Sequence, residues 1–196
     1  MSHTQWKLQT YIDYTSLRQD KQIMENSNST YSYGCAMVYF DMPEINDLHA
    51  KIESRDIYTE DVDKTYGLED EPHITLLYGI HSDEINDDDV FNILDSFKDK
   101  LKSIRLTKVN KFDNPKYEVL KFDSDSEILH EINSKLCKDL PFTSDYPDYH
   151  PHLTIAYVKP KMAQKYIEKF EGIKFELAPN YFVYSKPSGE KIIHKL

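Results

Sequence analysis

Several features that mark common protein classes are scarce in this chain of 196 residues. It has 2 cysteines, Cys35 and Cys137, which are too few for a disulfide framework or a cysteine-rich metal site. Its 5 glycines form no glycine-rich phosphate loop, which excludes the common nucleoside-triphosphate motifs. No apolar run reaches the length of a transmembrane helix. We therefore expect a protein of the reducing cytoplasm that has no membrane partner.

Positive charge is also in short supply. The chain has 24 Lys and Arg against 34 Asp and Glu, which gives a formal net charge of −10. Long RNA or DNA requires dense basic side chains against its phosphates, so an extended nucleic-acid partner is excluded. A small nucleotide in a locally basic pocket stays compatible with this charge. The 15 tyrosines suit such a pocket because each offers a flat face and a hydroxyl.

One short pattern, Pro-His-apolar-Thr-apolar, occurs twice, at residues 72–76 and 151–155. A single His-x-Thr is a common chance pattern, but a second copy in another strand-like run favours a functional pair. Side chains alternate between the two faces of a β-strand, so the His and Thr of each copy share one face and the apolar residues share the other. Two such strands side by side would form a cleft with paired imidazoles and paired hydroxyls. The candidate catalytic residues are His73, Thr75, His152 and Thr154.

Apolar periodicity along the chain predicts an α+β fold. Residues 1–30 show little periodicity and are interpreted as an N-terminal extension and linker, whereas residues 31–196 form a single domain. Helices are predicted at residues 43–51, 85–101, 125–139 and 160–170. Strands are predicted at residues 34–40, 72–80, 103–112, 117–123, 151–158, 173–185 and 190–195. A helix follows each motif strand, so we expect two related units whose motifs face each other across a pseudo-symmetry axis.

No metal or other cofactor is predicted. The acidic run Asp87–Asp89 lies near the start of a predicted helix, where the helix dipole favours negative charge, and we interpret it as capping. A zinc site built from the two motif histidines and His150 would lack a nearby carboxylate or cysteine ligand.

The paired motifs resemble the signature of the two-histidine phosphoesterase superfamily, in which two His-x-Thr or His-x-Ser motifs lie on central strands. The resemblance covers about residues 31–196 and includes the Pro before each His. It implies a bilobal fold whose antiparallel sheets line a central cleft, with helices outside. Within the superfamily the chain most resembles the phage anti-CBASS nucleases, on the strand entry at residues 31–35, the stretch 73–79 and the acidic, tyrosine-rich composition.

This resemblance implies a metal-independent phosphodiesterase that cleaves 3′-5′ bonds in cyclic di- and trinucleotides, the signals of bacterial antiphage defence. The enzyme would act as a monomer in the host bacterial cytoplasm. Histidine suits both proton-transfer roles because its ordinary pKa lies near neutral pH. Threonine hydroxyls would donate to the non-bridging phosphate oxygens. Which histidine is the base and which is the acid stays open at this point.

Aromatic residues near the cleft would recognise the bases, because each stacked base contributes about 1–3 kcal/mol. The candidate substrate-binding residues are Tyr33, Tyr146 and Tyr149. The alternative that these are ordinary surface or core tyrosines stays open.

Three other functions also remain possible alternatives. The first is an enzyme acting on 2′,3′-cyclic phosphates or on 2′-5′ oligoadenylates. The second is a non-catalytic sponge that binds cyclic nucleotides, although a sponge does not need both histidines and both threonines. The third is a protein-interaction module that uses the acidic surface.

Overall fold

The computed structural model describes residues 31–63, 65–144, 146 and 148–196, so the predicted extension at residues 1–30 lies outside the described residues. The strands are β1 Tyr33–Phe40, β2 His73–His81, β3 Ile104–Asp113, β4 Glu118–Ser124, β5 His152–Val158, β6 Phe175–Leu177, β7 Pro179–Ser185 and β8 Lys191–Lys195. The α-helices are α1 Ile45–His49, α2 Asp87–Asp95, α3 Glu127–Asp139 and α4 Ala163–Lys169. None of these helices is long and apolar enough to cross a lipid bilayer.

The strands form two antiparallel sheets of four strands each. The first lobe has the order β2-β1-β7-β8, and the second lobe has the order β5-β4-β3-β6. The motif strands β2 and β5 are edge strands of their own sheets, and they contact each other where the lobes meet. The α+β, bilobal arrangement predicted from the sequence is confirmed.

A repeated strand-helix-strand-helix unit underlies the two lobes. The first copy runs β1-α1-β2-α2, and the second runs β4-α3-β5-α4. The first helix of each copy packs on the motif strand of the other copy, α1 on β5 and α3 on β2. The two units are therefore interlocked, and each motif strand is held by both lobes.

One face of each motif strand is anchored in the core, as the sequence predicted; burial alternates at the start of β2, whereas every residue of β5 is buried. Ile74 and Leu76 of β2 and Leu153 and Ile155 of β5 are all 0% exposed and belong to one continuous apolar core. Burying such side chains contributes roughly 1.5–3 kcal/mol each. The opposite faces of the same strands are left to the cleft.

A β-bulge follows the threonine in both motif strands. Leu76 has no partner in the β1–β2 register, and Ile155 has none in the β4–β5 register. One extra residue reverses the alternation of side chains. Tyr78 and Tyr157, three positions after each threonine, therefore return to the face of the histidine and threonine.

The predicted strand at residues 173–185 is wrong as a single element. β6 pairs with β3 in the second lobe, whereas β7 pairs with β1 in the first lobe. The chain crosses between sheets at Ala178, and Pro179 opens β7. Proline is tolerated at the first residue of a strand because it need not donate a ladder hydrogen bond there.

The helix predicted at residues 85–101 is also too long. α2 ends at Asp95, and the apolar stripe continues through turns that still bury Phe97 and Leu101. At its start, the Asp89 carboxylate accepts a hydrogen bond of 2.8 Å from the Asn86 N–H. The capping interpretation is therefore confirmed for Asp89. α1 and α4 are likewise shorter than predicted.

Candidate active site

The two motif histidines occupy equivalent positions, each at the first residue of its strand. The Nδ1 atom of His73 lies 2.7 Å from the carbonyl oxygen of Glu71, and that of His152 lies 2.8 Å from the carbonyl oxygen of His150. A carbonyl oxygen can only accept, so Nδ1 carries the proton in both rings. In the neutral imidazoles Nε2 then has the lone pair, which is the arrangement that proton transfer at the cleft requires.

An aromatic ring from another strand of the same sheet supports each histidine. Tyr39 of β1 stacks on His73 with the ring centroids 5.1 Å apart and the planes at 19°. Phe112 of β3 meets His152 edge to face, with the centroids 4.9 Å apart and the planes at 90°. These contacts fix the orientation of each imidazole in addition to its carbonyl hydrogen bond.

A lysine lies against each of these supporting rings. The Lys191 Nζ atom is 5.4 Å from the Tyr39 centroid, and the Lys121 Nζ atom is 4.1 Å from the Phe112 centroid. In each lobe, therefore, a lysine contacts an aromatic ring, and the same ring contacts the motif histidine. Each lysine is also paired with a carboxylate of its own lobe region, Lys191 with Glu71 and Lys121 with Asp123.

The two histidines differ in how deeply they are buried. His152 is 8% exposed, whereas His73 is half-buried at the cleft. Burial lowers the pKa of His152 to about 3, with the positive charge of Lys121 as the next contribution and a smaller one from His73. His152 is therefore neutral at physiological pH in the unliganded protein.

Two cavities lie along the cleft. The first is about 380 Å³ and lies on the first lobe; its lining includes Tyr33, Tyr39, His73, Thr75, Tyr78 and Lys191. The second is about 340 Å³ and lies on the second lobe; its lining includes Phe112, Lys121, Asp123, His130, Tyr149 and His150. Both volumes fall in the range of small-molecule sites.

The predicted site residues occupy different parts of this region. Thr75 lines the first cavity beside Tyr33, and Thr154 is buried on β5. Tyr146 lines a smaller cavity of about 150 Å³ between β2 and α3. The Tyr149 hydroxyl donates a 2.8 Å hydrogen bond to the Thr75 carbonyl oxygen, which ties the loop before β5 to β2. Substrate binding by the tyrosines remains a prediction.

Four residues of the motif faces and their surroundings were missed by sequence reasoning. Tyr78 and Tyr157 extend the repeat to Pro-His-x-Thr-x-x-Tyr, a signal that was visible in the sequence. Lys121 and Lys191 carried no such signal, because their position depends on which strands pair and in which register.

No group of three or more His, Cys, Asp or Glu side chains that could hold a metal ion occurs in the described parts of the chain. Metal-independent chemistry remains a prediction for experiment.

A family model described as the 2′-5′ RNA ligase superfamily matches residues 43–180. The chain belongs to this superfamily. Membership confirms the two-histidine phosphoesterase resemblance and gives phosphodiester chemistry as the class of activity. Among curated protein sequences, none matches this chain significantly.

Solved structures are similar to this superfamily member at low sequence identity. Usb1 of Kluyveromyces marxianus is 9% identical with a TM-score of 0.50, and the match covers 85% of this chain and 99% of Usb1. E. coli LigT complexed with 3′-AMP is 13% identical with a TM-score of 0.44, and the match covers 84% of this chain and 95% of LigT.

Proposed function

We propose that this protein is a metal-independent phosphodiesterase that cleaves the 3′-5′ bonds of cyclic di- and trinucleotides. The observation that carries the proposal is the matched pair of histidines, each with Nδ1–H bound to a backbone carbonyl and each followed by a threonine on the same strand face. Two imidazoles of defined tautomer can supply both a base and an acid.

The proposed reaction is an in-line transfer within the substrate. A ribose 2′-hydroxyl attacks the adjacent phosphorus and loses its proton to Nε2 of one histidine. The bond from phosphorus to the 5′-oxygen breaks, and the other histidine donates a proton to that oxygen. The products are a 2′,3′-cyclic phosphate and a free 5′-hydroxyl. The hydroxyls of Thr75 and Thr154 would donate to the non-bridging oxygens as charge develops.

The different burial of the two histidines supports an assignment of their roles. His152 is neutral in the unliganded protein, which makes it the candidate base. A phosphate anion beside it would favour the imidazolium and so raise its pKa as the proton arrives. His73, half-buried on the other wall, is the candidate acid.

The cavities support a substrate with more than one nucleoside. One cavity lies on each lobe, so a phosphate held at the histidines would have space for a nucleoside on either side. Tyr33 and Tyr78 line the first cavity and are the candidates to stack on a base, whereas the ring of Tyr39 already contacts His73 and Lys191. On this proposal the protein would remove the cyclic-nucleotide signal of bacterial antiphage defence and would serve a phage inside its host.

A product assay tests the proposal. The purified protein is incubated in EDTA with 3′-5′ cyclic GMP-AMP, cyclic triadenylate, linear 2′-5′ triadenylate and 2′,3′-cyclic AMP, and the products are resolved by chromatography. The His73→Asn/His152→Asn variant is the matched control. We expect linear products from the two cyclic oligonucleotides with the wild type alone.

Other outcomes would redirect the proposal. Cleavage confined to 2′-5′ triadenylate or 2′,3′-cyclic AMP would replace the cyclic-oligonucleotide substrate but keep the phosphodiesterase. Tight binding of a cyclic oligonucleotide without cleavage would indicate a sponge. Loss of activity in EDTA, restored by a divalent cation, would contradict metal-independent chemistry.

A further inference from the structure

The register of the two sheets allows a position-by-position comparison of the cleft walls. Met37 of β1 is the partner of Thr75, whereas Lys121 of β4 is the partner of Thr154. The equivalent place beside the threonine therefore holds an apolar side chain in the first lobe and a cation in the second. Nothing in the repeated backbone requires this difference, since both strands are antiparallel partners of a bulged motif strand.

Lys121 is an unusually buried lysine. It is 2% exposed, as deeply buried as many of the core leucines and isoleucines. Lysine is almost never fully buried unless it is paired, because removing an ammonium from water is costly. Its Nζ atom forms an ion pair with Asp123 and lies 4.1 Å from the Phe112 centroid.

The surroundings of Lys121 join it to the candidate active site. Phe112 also contacts His152, so the ammonium and the imidazole lie against the same ring. Asp123 is the register partner of His152. Lys121 also lines the second cavity.

The Asp123 carboxylate does not depend on Lys121 alone. It also accepts a 2.9 Å hydrogen bond from the Asn110 side-chain amide. Asp123 therefore keeps a hydrogen-bond donor if the Lys121 ammonium turns towards a phosphate. The positive charge of Lys121 also acts on His152, since it contributes to lowering the pKa of that imidazole.

We propose that Lys121 is a phosphate-binding residue that contacts a non-bridging oxygen of the substrate phosphate beside His152 and Thr154. This inference rests on the proposed phosphodiesterase function and adds a charged group to its two histidines and two threonines. A phosphate anion at this place neutralises the ammonium that opposes protonation of His152, so binding of the anion and proton uptake by the imidazole support each other.

A binding experiment tests this role without requiring turnover. Calorimetric titrations with 3′-AMP and with adenosine measure how much the phosphate adds to affinity. In the wild type we expect 3′-AMP to bind more tightly than adenosine. Lys121→Met places in the second lobe the residue type found at Met37. It should weaken 3′-AMP binding by about 10- to 100-fold, as expected for the loss of a hydrogen bond to a charged group. Adenosine binding should be unchanged.

Two further variants keep the test decisive. Lys135→Met removes a lysine that pairs with Asp139 on α3, and it should bind both ligands as the wild type does. Lys121→Met/Asp123→Asn removes both charges of the ion pair and serves as the test variant if the unpaired Asp123 destabilises Lys121→Met. Thermal unfolding of each variant checks that the fold is intact.

The outcomes separate this inference from the proposed function. Equal affinity of the wild type for 3′-AMP and adenosine, or unchanged 3′-AMP binding in both Lys121 variants, would overturn the role of Lys121. If the wild type cleaves none of the four substrates but the phosphate-dependent affinity is lost with Lys121, the phosphodiesterase proposal fails and the phosphate site stands. If cleavage proceeds equally well without Lys121, the enzyme stands and the inference fails.

Discussion

The first lobe leaves its motif face open to the large cavity, whereas the second lobe buries the same face. Tyr78 lines the first cavity, but its equivalent Tyr157 is 5% exposed and lies in a cluster with the rings of Tyr66 and Tyr117. The two faces share the motif, the bulge and the tyrosine. The same strand arrangement therefore lies in two different environments. In the first lobe it forms an aromatic wall suited to stacking on bases, and in the second lobe it forms a buried wall suited to electrostatic interactions.

The loop at residues 54–71 accounts for part of this difference. It supplies Tyr58 and Tyr66, which cover the end of the second motif face, and Tyr58 donates a backbone N–H to the Tyr157 carbonyl oxygen at 2.9 Å. The first lobe shows no comparable cover over Tyr78 among the described residues. The pseudo-symmetry is therefore a property of the strands, whereas the cover over the second motif face comes from a connecting loop.

Replacing the motif histidines should have the largest effect. We expect His73→Ala and His152→Ala each to lower kcat/KM by about 10²- to 10⁴-fold, the usual contribution of a general acid or base. The double variant should lose little more, because groups that act on one phosphate are not additive. Steady-state kinetics on the preferred cyclic oligonucleotide measures this. A multiplicative loss in the double variant would show that the two lobes act independently.

Replacing the two equivalent tyrosines should affect different properties, the stability of the fold in one case and substrate binding in the other. Tyr157→Ala removes a buried ring, and we expect the free energy of unfolding to fall by about 3–5 kcal/mol, as for other large-to-small core changes. Tyr78→Ala should instead weaken substrate binding by about 1–3 kcal/mol through lost stacking. Urea unfolding and substrate titration together measure both quantities. If both variants lost mainly stability, Tyr78 would be a structural residue.

Gly79 marks another point where the lobes differ, since Val158 occupies the equivalent place after Tyr157. Gly79 has φ +80°, and a Cβ there would lie 1.9 Å from the Thr143 carbonyl oxygen. Gly79→Ala should destabilise the fold by more than the roughly 1–3 kcal/mol of backbone strain alone. Gly172→Ala is the matched control, because it has the same φ and no heavy atom within 4 Å. Equal losses of stability would rule out a close approach of the two segments.

A further difference between the lobes concerns the pH dependence of stability. An unfolded histidine binds a proton below about pH 6.5, whereas burial holds the pKa of His152 at about 3 in the folded protein. Its contribution to stability is complete above about pH 6.5 and is lost as the pH falls towards 3, because the unfolded state then binds the extra proton. The wild type should therefore lose about 1.4 kcal/mol more per pH unit than His152→Asn in this window. Urea unfolding from pH 7 to pH 4.5 measures the difference, and parallel curves would contradict it.

Much of the strand pattern was predictable from local signals. The motif strands, their buried faces and the pairing of two related units follow from alternation and from the repeated Pro-His-x-Thr. The alternation of faces did not hold after Thr75 and Thr154, where each strand has a bulge. A bulge arises from the pairing of two strands, so the sequence pattern of one strand does not reveal it. The division of residues 173–185 was missed for a related reason, since only the partner strands decide which sheet a residue joins.

Cations in the cleft were the least predictable part of the candidate site. Lys121 stands between Leu120 and Phe122, and alternation puts it on the face away from the core. The identity of its neighbour across the sheet, Thr154, depends on a register shift between residues 120 and 121. A single sequence does not specify that shift.

The first helix of each unit packs on the motif strand of the other unit, and this arrangement has a consequence for synthesis on the ribosome. β2 is made early, but α3, which packs on it, begins only at Glu127. The first sheet also waits for β7 and β8, the last strands of the chain. Contacts between segments so distant in sequence slow folding, and incomplete sheets expose strand edges to other chains. Neither unit can reach its final packing alone, and the first sheet cannot be completed until β7 and β8 have left the ribosome.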